Sequence, residues 1–170
     1  MPDPYERKSL VELEKLPYLT AVINEALRMS NGLSFRNSRL AHSPITYKDY
    51  VIPVFTPVGM TVPLIQTDES IFPEPESFIP KRWLDINSAL GVKTSDGHPL
   101  NRFLMAFGRG ARQCVGMNLA QAEMRICIAT VVGRFDMELF ESSRKEVDLV
   151  HDLFLPGVDR SSKGVHVLIK

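Results

Sequence analysis

One segment of the sequence combines residue types that could hold a ligand. Residues 107–116 read FGRGARQCVG, and an apolar helix is predicted to follow from about Val115 to Gly133. A cysteine just before a helix lies where unpaired backbone N–H groups and the positive end of the helix dipole converge, and both favour thiolate over thiol. Cys114 is therefore a candidate anionic ligand.

The residues around Cys114 fit a loop that lies against a large flat ligand. Three glycines permit positive φ and a close backbone approach, namely Gly108, Gly110 and Gly116. Arg109 and Arg112 supply guanidinium groups, which hold carboxylates in a bidentate manner. Phe107 offers a ring that could cover one face of the site and keep water away from it.

Other interpretations of this segment have weaker support. A lone cysteine is most often a small buried hydrophobic residue, and we expect Cys127, on the apolar side of the helix, to be one. A dinucleotide-binding loop fails because Gln113 stands where G-x-G-x-x-G needs its third glycine, and a Walker lysine is lacking. The four histidines are scattered, which argues against zinc but leaves a nucleophilic Cys–His pair open.

Five positions match the F-x-x-G-x-R-x-C-x-G signature of the cytochrome P-450 superfamily: Phe107, Gly110, Arg112, Cys114 and Gly116. The chain thus resembles a haem-thiolate monooxygenase. The resemblance implies that Cys114 is the axial ligand of haem iron, that Arg112 contacts a haem propionate, and that Phe107 packs beside the sulfur. Gly108 and Gly116 would belong to the same cofactor-binding loop. A thiolate ligand favours O–O cleavage, so it accompanies oxygen activation.

A second group of charged residues lies on a helix predicted from about Pro17 to Met29. Glu25 and Arg28 are three residues apart and share a helix face, which by itself indicates an ordinary surface pair. Their neighbours are mostly apolar, however, and a buried pair would need further hydrogen-bonding partners.

The family resemblance gives this pair a third member. In the superfamily, E-x-x-R lies on such a helix and is tied to an arginine of a downstream P-x-R-F/W element, which here reads Pro80-Lys-Arg82-Trp83. The resemblance therefore implies a triad of Glu25, Arg28 and Arg82. Its role would be structural, because it would fix the long loop that leads to Cys114.

The sequence between these motifs also resembles fungal-type members of the superfamily. The similar stretches are TAVINEALR, YKDYVIP and ESIFPEPESFIPKRWL. Arg36 and Arg39 fall where the family often places an arginine for a haem propionate, and we favour Arg39. Where the family usually has Gly-Thr after Ile-Pro, this chain has Val54-Phe55-Thr56, and phenylalanine should strain a turn that needs positive φ.

Hydrophobic patterning predicts the elements that position these residues. Leucines at three- and four-residue steps predict a helical turn near Leu10 to Lys15, before the Pro17–Met29 helix. β-Branched and aromatic residues predict short strands at 45–47, 50–52, 61–65, 135–140 and 165–169, the last two around a Pro156-Gly157 turn. Residues 68–98 are expected to be mostly loop with one or two helical turns. The Val115–Gly133 helix, apolar on much of its circumference, is expected to be central to the fold.

Composition bounds the class of protein. The 170 residues include 20 Lys+Arg, 20 Asp+Glu and 44% apolar residues, which is typical of one globular domain. We expect a single α+β unit over residues 1–170, mainly α with small β-sheets. The zero net charge gives no electrostatic footprint for nucleic acid and no polybasic arm for a membrane surface.

Cysteine usage and hydropathy bear on the compartment. Two cysteines are too few for a disulfide framework and favour a reducing compartment, although a bond between them stays open. The N-terminal residues do not resemble a signal peptide, and no stretch approaches the roughly 20 apolar residues of a membrane span. As written, the chain is expected to be soluble and intracellular.

The resemblance covers only the C-terminal part of a considerably longer family fold. The absent portion would include the distal helix whose acidic-Thr pair delivers protons to dioxygen and the anchor that holds eukaryotic members in the endoplasmic reticulum membrane. The implied activity is oxidation of a small organic, lipophilic or secondary-metabolite substrate by O₂, with electrons from an NADPH-dependent reductase. The alternative is a truncated, non-catalytic haem-binding fragment. In either case the isolated chain is expected to bind haem weakly and turn over poorly.

Overall fold

Short helices and two-stranded sheets make up the described part of the chain. The computed structural model describes residues 8–30, 32–33, 36–84, 92–153 and 155–170. Over these residues it contains four α-helices and four antiparallel two-stranded sheets, in agreement with the mixed α+β class. The first seven residues and the part of the predicted loop at 85–91 lie outside the described residues.

The first two helices form where their sequence signals predict them. Helix α1 (Leu10–Glu14) starts with a capping box, in which the Ser9 hydroxyl accepts from the Glu12 N–H and the Glu12 carboxylate accepts from the Ser9 N–H. Helix α2 (Pro17–Met29) has its proline in the first turn, where a missing N–H costs nothing.

The third helix corrects a prediction. Helix α3 (Val62–Gln66) occupies the stretch that was predicted as a strand at 61–65. Pro63 lies in the first turn of α3, a position that suits a helix and disfavours a paired strand. Helix α4 (Met117–Arg134) follows Gly116 as its N-cap and begins two residues later than predicted.

The strands form four separate antiparallel pairs. They are β1 (Arg39–Leu40), β2 (Ile45–Tyr47), β3 (Tyr50–Ile52), β4 (Pro57–Val58), β5 (Met137–Leu139), β6 (His151–Leu153), β7 (Leu155–Gly157) and β8 (Val167–Ile169). The pairs are β1 with β4, β2 with β3, β5 with β8, and β6 with β7. The hairpin β2–β3 and the strands β5 and β8 lie within the predicted strands. Pro156 and Gly157 are paired in β7, so the turn predicted there is wrong.

A small core lies around α2. The buried apolar residues are Leu13, Ala21, Ile23, Phe72 and Leu100. Helix α2 packs mainly against the 3₁₀ helix Pro80–Trp83, while α4 contacts α1 and α2. None of the described residues of α4 is buried. The expectation that α4 is central to the fold is therefore wrong for the described part of the chain, because the other described elements cover only part of the helix. No helix in the described ranges is long and apolar enough to cross a membrane.

The turn after β3 has the backbone conformation that the sequence comparison with the family predicted. Phe55 has φ of 59°, a left-handed conformation that is costly for a residue with a side chain. Its N–H donates to the Ala41 carbonyl at 2.9 Å, and its ring meets His42 edge-on with centroids 5.3 Å apart. These two contacts offset part of the strain.

Candidate functional site

The Glu25 carboxylate is the centre of a buried charged cluster. Glu25 and Arg28 are 0% and 1% exposed, and each is one turn from the other on α2. Arg28 Nε donates to Glu25 Oε2 at 3.0 Å and its Nη2 to Oε1 at 2.9 Å, the bidentate geometry that favours arginine. The pair is thus buried and hydrogen-bonded, so it is not the surface pair that the spacing alone would indicate.

Arg82 joins the cluster from the 3₁₀ helix Pro80–Trp83. Its Nε donates to Glu25 Oε1 at 3.1 Å. Its two terminal nitrogens donate to the carbonyls of Pro73 and Glu74, at 2.6 and 3.1 Å. Glu74 has φ of 52°, so Arg82 stabilises a left-handed backbone position in the loop before it. The structure therefore brings Glu25, Arg28 and Arg82 together.

Two further donors complete the cluster, and no role was predicted for either of them from the sequence. Trp83 Nε1 donates to Glu25 Oε2 at 2.8 Å, and the Ile79 N–H donates to Oε1 at 2.9 Å. The sequence signal for the first was the tryptophan of the P-x-R-F/W element, since phenylalanine at that position has no donor. Phe72 packs against both sides of the cluster, with the Arg28 guanidinium 5.3 Å from its ring centre and the Trp83 ring at 5.8 Å.

These contacts set the protonation of Glu25. Burial alone would raise the pKa of its carboxyl, but hydrogen bonds from Arg28, Ile79 and Trp83 outweigh burial and hold the pKa below its ordinary value. Glu25 is therefore a carboxylate at neutral pH. Its negative charge balances part of the positive charge of the two arginines.

The Cys114 segment is a loop closed by backbone hydrogen bonds. The Cys114 N–H donates to the Phe107 carbonyl at 2.9 Å, and the Gly108 N–H donates to the Met105 carbonyl at 2.9 Å. Cys114 is exposed as a free thiol, three residues before Met117, the first residue of α4. The thiol thus lies just before a helix N-terminus, where an anion is stabilised.

Two of the three glycines of the loop have conformations that need glycine. Gly108 and Gly110 have φ of 67° and 78°, and the space where a side chain would lie is open at both positions. A Cβ at Gly116 would stand 3.9 Å from the Cys114 sulfur. The backbone beside the thiol is therefore bare, and a flat ligand could approach it closely.

The loop's two arginines differ in their contacts. Arg109 donates to the Asn101 carbonyl at 2.5 Å, which ties the loop to the 3₁₀ helix Leu100–Phe103. Arg112 is exposed and makes no hydrogen bond or ion pair with the residues that the structure describes. Phe107 is half-buried. Arg112 is thus a cation without a partner among the described residues, two positions from the exposed thiol.

The two arginines before the first strands, Arg36 and Arg39, also differ in their contacts. Arg36 donates to the Thr61 hydroxyl at 3.1 Å, so it is occupied within the chain. Arg39 lies in β1, is exposed, and contacts only the carbonyls of Asn37 and Ser38 among the described residues. Of the two, Arg39 is the one whose guanidinium remains available for another anion.

Helix α4 exposes four of its apolar residues and its cysteine. The exposed residues are Val115 before the helix and Leu119, Ile126, Val131 and Val132 within it. Cys127 is exposed, which corrects the expectation that it is buried. Both cysteines are free, so they form no disulfide with each other. Val115, Leu119 and Ile126 lie on the same side of the helix, and grouped exposed apolar residues are typical of a contact face.

The segment that leads to the Cys114 loop passes close to the C-terminal end of α2, the helix that carries Glu25 and Arg28. A Cβ built on Gly32, just after α2, would stand 3.6 Å from the carbonyl of Ala106, next to Phe107. Within the described residues, no group of three or more His, Cys, Asp or Glu side chains could hold a metal ion. A metal at Cys114 would therefore need a group that brings most of its own ligands.

The charged cluster and the Cys114 loop both lie in a segment that matches a known protein family. The cytochrome P-450 family matches residues 6–157, which include both the cluster and the loop. This chain belongs to the cytochrome P-450 family. The match confirms the resemblance that the motif around Cys114 predicted.

Named relatives of this P-450 chain come from fungi. The cytochrome P-450 monooxygenase sdnE of Sordaria araneosa is 39% identical over 170 residues, which cover 99% of this chain and 32% of the relative. The tryptophan 6-hydroxylase fscE of Fusarium equiseti is 40% identical, with 99% and 32% covered. The monooxygenase orf4 of Eupenicillium brefeldianum is 45% identical, with 94% and 30% covered. The chain thus spans about a third of the length of these curated relatives.

Proposed function

We propose that this chain is the haem-binding, C-terminal portion of a cytochrome P-450 monooxygenase, in which Cys114 would hold the haem iron. The observation that carries the proposal is the exposed Cys114 thiol. It lies just before α4, in a loop whose bare backbone has positive φ at Gly108 and Gly110. The family match over residues 6–157 supports the same assignment.

The donor set fits haem in three respects. One exposed thiol is a sufficient protein ligand on this side of the ring, because the porphyrin supplies four nitrogens of its own. The free Arg112 guanidinium matches a propionate in charge and shape. The exposed Val115 and Leu119 side chains match the apolar part of the ring. A hydrated metal ion alone would make no favourable contact with these apolar side chains.

Each residue of the proposed site has a separate task. Cys114 would give up its proton and provide the thiolate, with the N-terminus of α4 stabilising the negative charge. Arg112 and Arg39 would bind propionate carboxylates. Phe107 would pack beside the sulfur and exclude water. Gly108 and Gly116 would let the ring lie close to the backbone.

The cluster of Glu25, Arg28 and Arg82 would support this site without touching the cofactor. It joins α2 to the loop that ends at Trp83 through hydrogen bonds that leave no Glu25 oxygen unpaired. Its task would be to hold the fold around which the Cys114 loop is arranged.

The reaction class follows from the cofactor and the family. Bound haem with a thiolate ligand supplies oxygen activation and the transfer of one oxygen atom to an organic molecule. We propose a small organic, lipophilic or secondary-metabolite substrate, with an NADPH-dependent reductase as the electron donor. The name of the tryptophan 6-hydroxylase among the relatives supports hydroxylation as the type of reaction. For the whole protein we propose the endoplasmic reticulum membrane, as for eukaryotic relatives.

The ligand assignment is tested by the ferrous–CO spectrum. The chain is reconstituted with haemin, reduced and exposed to carbon monoxide, and a thiolate ligand gives a strongly red-shifted Soret band. We expect this band in the native chain and in Cys127→Ser, the matched control on α4. We expect it to be lost in Cys114→Ser. A band that persists in Cys114→Ser, or that never forms, contradicts the assignment.

A second candidate function is a haem-binding chain without catalysis. The exposure of Val115, Leu119 and Ile126 favours it, because the described part of the chain leaves these apolar residues beside the Cys114 loop uncovered. Hydroxylation assays with a P-450 reductase separate the two candidates. Substrate-dependent NADPH consumption with product formation supports the monooxygenase, whereas a red-shifted CO band without product supports the non-catalytic chain.

A further inference from the structure

Gln66 lies between the charged cluster and the Cys114 loop, and none of the sequence motifs includes it. It is the last residue of α3 and is 1% exposed. Its backbone carbonyl accepts a hydrogen bond from Arg28 Nη1 at 2.8 Å. Its side-chain Nε2 donates to the Phe103 carbonyl at 2.8 Å. One residue thus contacts both the cluster and the segment that leads to Cys114.

The Phe103 contact bears on the loop because Phe103 is only a few residues before the loop starts. The Phe107 carbonyl accepts the Cys114 N–H at 2.9 Å, and the intervening Met105 carbonyl accepts the Gly108 N–H at 2.9 Å. A fixed Phe103 carbonyl therefore anchors the start of a short segment, and the two backbone hydrogen bonds further along that segment close the loop at the candidate ligand.

The other half of the Gln66 amide argues against a purely stabilising role. Its Oε1 atom is buried and has no hydrogen-bond partner among the described residues. A buried acceptor without a partner lowers stability. A methionine of similar length would lose the Nε2 hydrogen bond but would also remove the unpaired acceptor. The two changes oppose each other, so global stability should change little.

We propose that Gln66 is a positioning residue, which holds the Phe103 carbonyl and through it the Cys114 loop in register with the charged cluster. The proposal rests on the proposed function in so far as the position of Cys114 matters for haem. Its structural part, the link from Gln66 to the Cys114 amide, can be measured on the chain without any cofactor.

The first test is amide hydrogen exchange by NMR on the full 170-residue chain without haem. In Gln66→Met we expect the protection of the Cys114 and Gly108 amides to fall at least fivefold, while amides in the middle of α4 stay within twofold. In Gln66→His, whose ring N–H has a similar reach and can donate, we expect most of the protection to return. Leu64→Met, on the exposed side of α3, is the matched control and should change nothing.

Two exchange results would overturn the proposal. One is unchanged protection of Cys114 and Gly108 in Gln66→Met. The other is an equal loss of protection in the loop and in α4, because a uniform loss means that Gln66 contributes only to global stability. If Gln66→Met does not fold, Gln66→His decides: native protection in the loop supports the proposal, and native protection in α4 alone contradicts it.

The second test uses haem and separates this proposal from the proposed function. In Gln66→Met we expect haemin affinity to fall at least threefold and the ferrous–CO Soret band to lose red-shifted intensity. If the native chain shows no red-shifted band, the proposed function fails, while the exchange data still decide the role of Gln66. If the native chain shows the band and Gln66→Met matches it in affinity and spectrum, Gln66 does not position the ligand and this proposal alone fails.

Discussion

The charged cluster and the Cys114 loop differ in how many of their groups find partners within the chain. The Glu25 carboxylate accepts five hydrogen bonds and is fully buried. The Cys114 thiol is exposed, Val115 beside it is fully exposed, and Arg112 has no partner among the described residues. The described residues therefore complete the cluster by themselves, whereas the loop presents its thiol, cation and apolar groups to something else.

The largest effect is expected from breaking the cluster with Glu25→Ala. This change leaves Arg28 buried without its counter-charge, and removing one partner of a buried ion pair costs about 3–5 kcal/mol. Because domains are stable by only about 5–15 kcal/mol, the variant should be largely unfolded near body temperature. Urea unfolding followed by circular dichroism measures the loss.

An exposed ion pair provides the control for Glu25→Ala. Arg144 and Asp148 are 3.0 Å apart with both side chains exposed, and such pairs contribute only about 0.2–0.5 kcal/mol. Asp148→Ala should therefore leave the unfolding midpoint almost unchanged. If Glu25→Ala costs no more than Asp148→Ala, the cluster is not a structural centre.

Acid should act on the cluster through Glu25. Its pKa is lower in the folded chain than the ordinary value of 4.5, so its contribution to stability is present above that value and is lost as pH falls through the folded pKa. The free energy of unfolding should stay level from pH 7 to about pH 5 and fall below the ordinary value. Urea titrations at each pH measure this profile, and an increase in stability on acidification would contradict it.

A smaller effect is expected from Trp83→Phe, which removes one of the five donors to Glu25. The loss of a hydrogen bond to a charged group costs about 1.5–3 kcal/mol, and the lower end applies because four donors remain. Most of the ring contact with Phe72 should be kept. Thermal unfolding measures the change, and a cost equal to that of Glu25→Ala would mean that the five hydrogen bonds do not act as separate contributions.

The smallest effect on stability is expected on the exposed face of α4. Val132 is 65% exposed, so Val132→Lys should change the free energy of unfolding by less than about 0.5 kcal/mol while reducing aggregation measured by light scattering. Leu13→Lys is the contrasting variant, because Leu13 is 3% exposed and should not tolerate a charge. Equal losses of stability in both variants would show that the α4 face is covered.

Local signals predicted much of the fold. The leucine spacing of α1, the proline at the start of α2 and the β-branched and aromatic residues at 45–47 and 50–52 act over a few residues, so the sequence alone contains them. The prediction of a strand at 61–65 was wrong. β-Branched residues also fit the first turn of a helix, and Pro63 favours the helix over a paired strand. The Pro156-Gly157 turn failed because both residues pair with β6, a strand that ends only three residues before Pro156, so the chain reverses before Pro156 and not at it.

The candidate site was predictable only where it matched a family motif. The motif named Glu25, Arg28 and Arg82, which the structure brings together, but it gave no sign of Gln66, whose role depends on contacts with residues 38 and 37 positions away in sequence. The exposure of Cys127 was also not predictable, because an apolar helix face does not reveal whether anything covers it.

The central claim, that Cys114 is the ligand and Cys127 is not, is tested most directly by thiol alkylation with and without haemin. Both thiols are free and exposed, so both should be labelled in the chain alone. With haemin in excess, mass spectrometry should find Cys114 protected and Cys127 still labelled. Equal labelling of the two cysteines in the presence of haemin would contradict the account.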